Sequence, residues 1–467
     1  MAPGLKRKTI LEEAVAPPKR PANGDTSKSP RKPAAANGAI LAAVPPAEAP
    51  TPRTGELFVY GNNEAGQLGL EDPSLVKRYP FFMAVDRVGG HPIHTVVAGG
   101  MHSVLVNAEG QAWSWGCDDE GALGTAADDE DSWRPKRVNI PVKVKTVTAG
   151  DSHTAFLTLS GRIYLTGTMR DASGAFGLNS KAGGTAIYKA PFLYMDNKSR
   201  DDNVVKDVPV KMSSGANHFA VLNKKHEVHL LGDGHQGQLG PIPGRRKDGG
   251  RDGRAYFLQR RKVLVEVDKK FAHFDDVWCT PFGTFVKLDG GDRWWACGNN
   301  AKNQLGFPKD EAEIQEEFRE VTGLAGKAIV KIIGTNTFTV ALSRDGQLFV
   351  FGGREYLGLT AVTAPDETNT DQPVRHPACD VHTFVDVGCA SNNATVAVTT
   401  SGDVFVWGSP SSSVVGLEED DDEAVAQPTQ LISKNTTEYA MFKVSVGGAF
   451  ALLLGKKRGA VPMEGVC

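Results

Sequence analysis

The chain has 467 residues, of which 40% are hydrophobic and 23% charged, with 52 glycines and a formal net charge of −3. That balance excludes a disordered polymer or a collagen-like repeat as a description of the full chain, and no run of about 18 apolar residues marks a membrane helix. Glycine, at about 11% against an average near 7%, calls for many tight turns and therefore short strands rather than long helices.

The net charge conceals an asymmetry. Residues 1–54 hold nine Lys/Arg and four Asp/Glu, a balance of +5, which leaves −8 on the remainder. The segment is rich in Ala, Pro, Ser and Lys and nearly free of aromatics, so it is expected to be a disordered basic arm. Its clusters are Lys6-Arg7-Lys8, Lys19-Arg20 and Arg31-Lys32. The first two are spaced for a bipartite nuclear import signal, and such clusters also pair with nucleic-acid phosphates. A solubilising tail is the plainer alternative. Ser29-Pro30 precedes the third cluster and matches a proline-directed phosphorylation site, whose added charge would weaken phosphate binding.

From Gly55 onward the sequence repeats. Two apolar residues, a Gly, a polar loop and a second Gly recur at LFVYGNNEAGQLG (57–69), AWSWGCDDEGALG (112–124), IYLTGTMRDASGAFG (163–177), VHLLGDGHQGQLG (228–240), WWACGNNAKNQLG (294–306), LFVFGGREYLG (348–358) and VFVWGSPSSSVVG (404–416). A second half-motif, such as VVAGGMHSVLV or VTAGDSHTAFL, precedes all but the first copy, and VSVGGAFALLL closes the series at 444–454. Each unit offers about four short β runs, and seven such units predict an all-β, seven-bladed propeller. The phase is offset, so the strand near Leu57–Tyr60 and the strands before Leu454 should complete one blade and close the ring. The expected layout is a disordered arm at 1–54, the propeller at 55–457 and a short tail at 458–467.

The loops carry the functional signal. From the strand-ending Gly to the next Gly, five copies span eight residues, the 352–358 copy is shorter and the 167–177 copy alone is longer. Two extra residues at a Gly-flanked turn predict a raised finger containing Arg170 and Asp171. A second insertion, Gly244–Lys262, is strongly basic. Asp128–Asp131 and Glu418–Glu423 are acidic runs that read as solvated loops.

Other motifs are weaker. Gly232, Gly234 and Gly237 fit a dinucleotide fingerprint, but Gln-Leu-Gly-Pro-Ile-Pro follows instead of a helix, so a blade turn is expected. His102, His153 and His218 recur at equivalent places, where Gly283, Phe338 and Phe450 stand in other repeats; local structural bonding, a partner contact and a metal site are the three readings. There is no P-loop, no paired-carboxylate motif and no Ser-His-Asp arrangement. The six cysteines lack a C-x-x-C pair, which fits reduced thiols in an intracellular compartment. Asn435-Thr436-Thr437 matches a glycosylation sequon.

The AGGMHS, AGDSHT, GNNEAGQLG and GCDDEGALG motifs resemble those of the regulator of chromosome condensation family, over about residues 55–457. The resemblance implies a guanine-nucleotide exchange factor for the small GTPase Ran, held on chromatin in the nucleus. It implies no covalent chemistry, no cofactor and no metal. The exchange wedge would be Met169, Arg170, Asp171, Ala172, Ser173 and Gly174, and the GTPase-binding face Glu64, His102, Asp151 and Asn217. The family typically has Asp at the Glu64 and Asn217 places, a His at Phe450, and often one near Thr337-Phe338. A switchback loop in the basic insertion would reach the acidic patch of the histone dimer through Arg251, with Arg245, Arg246 and Arg254 as substitutes for an Arg that is Asp248 here. Lys6, Arg7, Lys8, Lys19 and Arg20 would serve nucleosomal DNA and a nuclear import receptor. No membrane association is expected, and a monomer is. A chromatin- or histone-binding propeller scaffold without exchange activity is the alternative.

Overall fold

The computed structural model describes residues 53–459 apart from 73, 84, 127–130, 180–186, 202–203, 242–257, 310–312, 360–368, 410–412 and 417–424. Two units are distinguished, Met1–Thr51 and Pro52–Cys467, and only the second contains described residues. Seven four-stranded antiparallel sheets form the blades of the expected propeller. The first blade is shared between the chain ends, with strands Glu56–Asn62 and Val76–Met83 joined to Tyr439–Val446 and Phe450–Lys457. Its register runs from Glu56 opposite Gly455 to Gly61 opposite Phe450, which is the predicted closure of the ring. The other six blades cover residues 93–137, 144–195, 209–262, 274–320, 329–375 and 384–430 in chain order.

The apolar runs explain the packing. Second strands such as His102–Asn107 and His153–Thr158 are buried at every position, since each is covered by neighbouring blades on both faces. The core accordingly lies between blades. Val104 and Val106 of the second blade pack with Val147, Phe156 and Tyr164 of the third, and Phe285 and Trp294 of the fifth with Ala341 and Phe351 of the sixth. Each fully buried large side chain contributes about 1.5–3 kcal/mol.

The strand-ending glycine is required sterically. In every blade it pairs with the first residue of the second strand, at Gly61, Gly116, Gly167, Gly232, Gly298, Gly352 and Gly408. At Gly408 φ is +121°, and a Cβ would lie 2.3 Å from the Asn393 carbonyl oxygen. At Gly167 φ is +87°, and a Cβ would lie 2.1 Å from the Ser152 carbonyl oxygen. No L side chain fits either place.

The recurrent histidines join adjacent blades. His102 Nε2 lies 2.9 Å from Thr154 Oγ1 in the next blade, and that hydroxyl donates to the Ala122 carbonyl. Its single proton is thereby used, so His102 Nε2 is the donor. His218 meets Thr284 Oγ1 in the same way at 3.0 Å, and His153 meets Ser214 Oγ at 3.0 Å. Each ring also folds back over a glycine: a Cβ on Gly99, Gly150 or Gly215 would fall 2.1–2.2 Å from the imidazole Cε1. The A-G-x-x-H pattern is thus one packing unit, with structural bonding as its local role.

Two outcomes follow from this packing. Gly408→Ala, far from the long loop, should lower unfolding free energy by about 2 kcal/mol or more, from backbone strain and the clash at Asn393; an unchanged denaturant midpoint would refute the steric account. Burial lowers the pKa of His102 to about 4 and of His153 and His218 to about 3, from the ordinary 6.5. The unfolded chain therefore takes up protons first, and stability is lost as pH falls from about 6.5 toward 3. His153→Phe, copying the Phe338 and Phe450 places, should reduce that pH dependence by about one proton in denaturant titrations.

Candidate functional site

Three loops on the face bearing the strand-ending glycines, those of the first, second and fifth blades, are folded flat by a polar staple. Asn63, Asp118 and Asn300, two residues past the glycine, accept hydrogen bonds from the backbone N–H of Leu68, Leu123 and Leu305 at 2.9, 2.9 and 3.0 Å. The third blade has Met169 at this place. Its side chain is fully buried in a core cluster with Phe176 and Leu178 and can accept no such bond. The segment instead continues as strand Met169–Asp171 and returns as Gly174–Gly177, forming a two-stranded hairpin of its own. Thr168 Oγ1 closes the base by accepting from Gly177 N–H at 2.9 Å, and Asp171 Oδ1 orders the tip by accepting from Ser173 N–H at 2.8 Å. Arg170, Ala172 and Ser173 are exposed, while Asp171 and Gly174 are half-buried.

The hairpin borders a depression of about 640 Å³ at the ring axis, to which every blade contributes. Glu64, Asp151 and Arg170 line it together. Asn217 is half-buried and supports the hairpin, its Oδ1 accepting from Arg170 N–H at 3.1 Å. His102 is only 1% exposed and lies beneath this face in the seam between blades, so its part is to hold the face from below. The surrounding protein raises the pKa of Asp151, and the nearby Arg170 guanidinium opposes that shift.

Two residues at this rim have no counterpart among the sequence-based candidates. Glu120 pairs with the Arg170 guanidinium at 2.5 Å and, like Asp119, lines the depression. The Asp118-Asp119-Glu120 run carried the signal: aligned on Asn63, it divides into one loop staple and two rim carboxylates. Among the described residues, Glu64, Asp119, Glu120 and Asp151 face a single lining cation, Arg170, so the depression presents a negative field suited to a basic surface. Burial raises the Cys117 thiol in the same wall, keeping it protonated near neutrality.

The basic candidates stand elsewhere. Lys6, Arg7, Lys8, Lys19, Arg20 and Ser29 lie outside the described residues, as do Arg245, Arg246, Arg251 and Arg254. The described end of the basic insertion is tied to the blade body, Arg260 to Asp207 at 3.2 Å and Lys262 to Glu227 at 2.6 Å.

Residues 56–453 match the family described as RCC1-like domain. The chain is 30% identical over 410 residues to the regulator of chromosome condensation of Xenopus laevis, covering 86% of this chain and 90% of that one. It is 24% identical over 452 residues to the guanine nucleotide exchange factor SRM1 of Saccharomyces cerevisiae, covering 86% and 87%. Among solved structures, Prp20p of Saccharomyces cerevisiae, described with its binding properties to Gsp1p and histones, superposes with a TM-score of 0.74 at 22% identity, over 87% of this chain and 93% of that one. A repeat of strand-ending glycines, a ring closed by its own termini and these matches together make the chain a member of the regulator of chromosome condensation family.

Proposed function

We propose that this chain is a guanine-nucleotide exchange factor for a Ran-like small GTPase and works while bound to chromatin in the nucleus. The observation that carries the reading is the hairpin at Met169–Gly177. It is anchored by a buried Met, braced by Asn217 and Glu120, and stands beside an acidic depression. Such a pre-ordered element supplies the wedge. By binding the nucleotide-free GTPase better than the nucleotide-bound form, it must accelerate GDP release, because affinities around the cycle are linked. Displacing the GTPase's phosphate-binding loop and its Mg²⁺-holding elements removes much of the nucleotide affinity. The direction of exchange follows from the cellular excess of GTP.

The carboxylates at Glu64, Asp119, Glu120 and Asp151 serve association, steering a basic GTPase surface onto the ring. Chromatin attachment draws on the basic arm for DNA and on the insertion around Arg251 for the acidic patch of the histone dimer. The arm's Lys6–Lys8 and Lys19-Arg20 clusters serve the import receptor. The description of yeast Prp20p, which names both Gsp1p and histones, supports pairing a GTPase face with a chromatin contact.

The test is release of labelled GDP from Ran in the presence of the full chain. Arg170→Ala together with Asp171→Ala should slow stimulated release at least about tenfold, about 1.4 kcal/mol in the barrier, with an unchanged melting temperature. Absence of stimulation by the unaltered chain would refute the exchange reading and leave the scaffold alternative. Removing residues 1–54 should weaken nucleosome binding and make it less dependent on salt, by about 0.9 in log–log slope for each phosphate the arm had neutralised.

A further inference from the structure

The fourth blade contains a group of side chains that the exchange reading does not use. Glu227 and His229 alternate along strand Val228–Gly232 and its approach, so both point to the same side of the sheet. Asp207 reaches the same spot from the segment before strand Pro209–Ser214. His229 is 7% exposed, and neither of its ring nitrogens has a hydrogen-bond partner. A buried polar group without a partner is destabilising and calls for an explanation.

The imidazole faces two carboxylates, both beyond ordinary hydrogen-bond length. Its Nε2 lies 3.6 Å from a Glu227 oxygen (Oε2) and 3.9 Å from an Asp207 oxygen (Oδ2). One Asn223 amide donates to both of those oxygens, at 2.8 Å to Asp207 and 3.0 Å to Glu227, and draws them together. The amide is itself locked, because its Oδ1 accepts from the backbone N–H of Lys225 and Glu227. The three ligand atoms all lie within 4.8 Å of one another. Around a tetrahedral ion with bonds of about 2.0–2.2 Å, ligand atoms stand about 3.3–3.6 Å apart, so only a small contraction is needed.

We propose that Asp207, Glu227 and His229 form a site for a divalent cation of the zinc class, with water in the fourth position. One imidazole nitrogen and two carboxylate oxygens suit a borderline ion better than a hard one such as calcium, which takes six to eight oxygens. Asn223 is the outer residue that orients the carboxylates. Arg260 and Lys262 supply the neutralising charge in the metal-free chain. The ion competes with Arg260 for the same Asp207 oxygen (Oδ2), while Lys262 holds the other Glu227 oxygen (Oε1) and opposes the ion by its charge.

Untagged full-length protein, stripped with a chelator, would be titrated with zinc chloride by calorimetry at neutral pH. One ion should bind per chain and raise the melting temperature, whereas calcium chloride does neither. His229→Asn and Glu227→Gln should each weaken zinc binding at least about tenfold. Lys262→Met should tighten it, because a competing cation is gone; an ion-pair network without a metal role would not give that result. His226→Ala disrupts the other described cluster, the exposed His226, Asp275 and Asp289, and should leave binding unchanged. No zinc binding, or binding that is lost with His226→Ala and kept with His229→Asn, overturns the proposal.

Discussion

The structure depends on one close approach: in every blade the backbone of a strand-ending glycine lies against the carbonyl that precedes the neighbouring second strand. A Cβ at these places would come within 2.1–2.7 Å of that oxygen. The contact sets where the third strand stops and therefore where each face loop begins. It also brings the loop back beside the next blade, where hydroxyls take hold of it. Ser103 donates to the Gln67 carbonyl, Thr154 to Ala122, Thr284 to Gln238 and Thr339 to Gln304, all at 2.7–2.9 Å. Loop and blade are locked together by short, buried bonds.

This locking holds a single hairpin in a fixed shape. A flexible loop would lose conformational entropy on entering a partner, and that loss would come out of the binding energy. Here the stem begins at a sterically fixed glycine, Gly167, continues through the fully buried Met169 and is closed by Thr168. The ring behind it is continuous, because strand Glu56–Asn62 pairs with Phe450–Lys457 and leaves no free end in the first blade's interior. Force on the hairpin is therefore borne by packed sheets.

The repeat, the strand count and the shared first blade were legible in the sequence because each rests on a residue with no substitute. Only glycine occupies the strand-ending place, so the period is written in glycines. The hairpin was legible too, as a difference in loop length. The groups around it were not. Arg170 meets Glu120 across 50 residues and Asn217 across 47, and pairings between blades leave no trace in local periodicity. The role of Met169 was hidden for a different reason: its importance lies in the Asn or Asp it replaces, which matters only once the stapling bonds of the sister loops are known. The histidines were ambiguous because imidazole serves packing, partner contact and metal equally well, and it is the hydroxyl of the next blade that separates these.

The same geometry sorts the four places where the resemblance implies another residue, Glu64, Asn217, Phe338 and Phe450. Phe338 and Phe450 are fully buried, and Phe450 covers Gly447 as the imidazoles cover Gly99, Gly150 and Gly215. An aromatic ring of similar shape fills that slot without a hydrogen bond, so a change between His and Phe alters the seam and its acid sensitivity, not the surface offered to a partner. Asn217 is an intermediate case. As an amide it accepts the Arg170 backbone N–H; an aspartate would accept the same bond and add negative charge at the rim. Glu64 is exposed at the depression and places its carboxylate one methylene from where an aspartate would hold it. The departures thus leave the anchoring of the hairpin intact and concentrate their effect on the electrostatics of the rim.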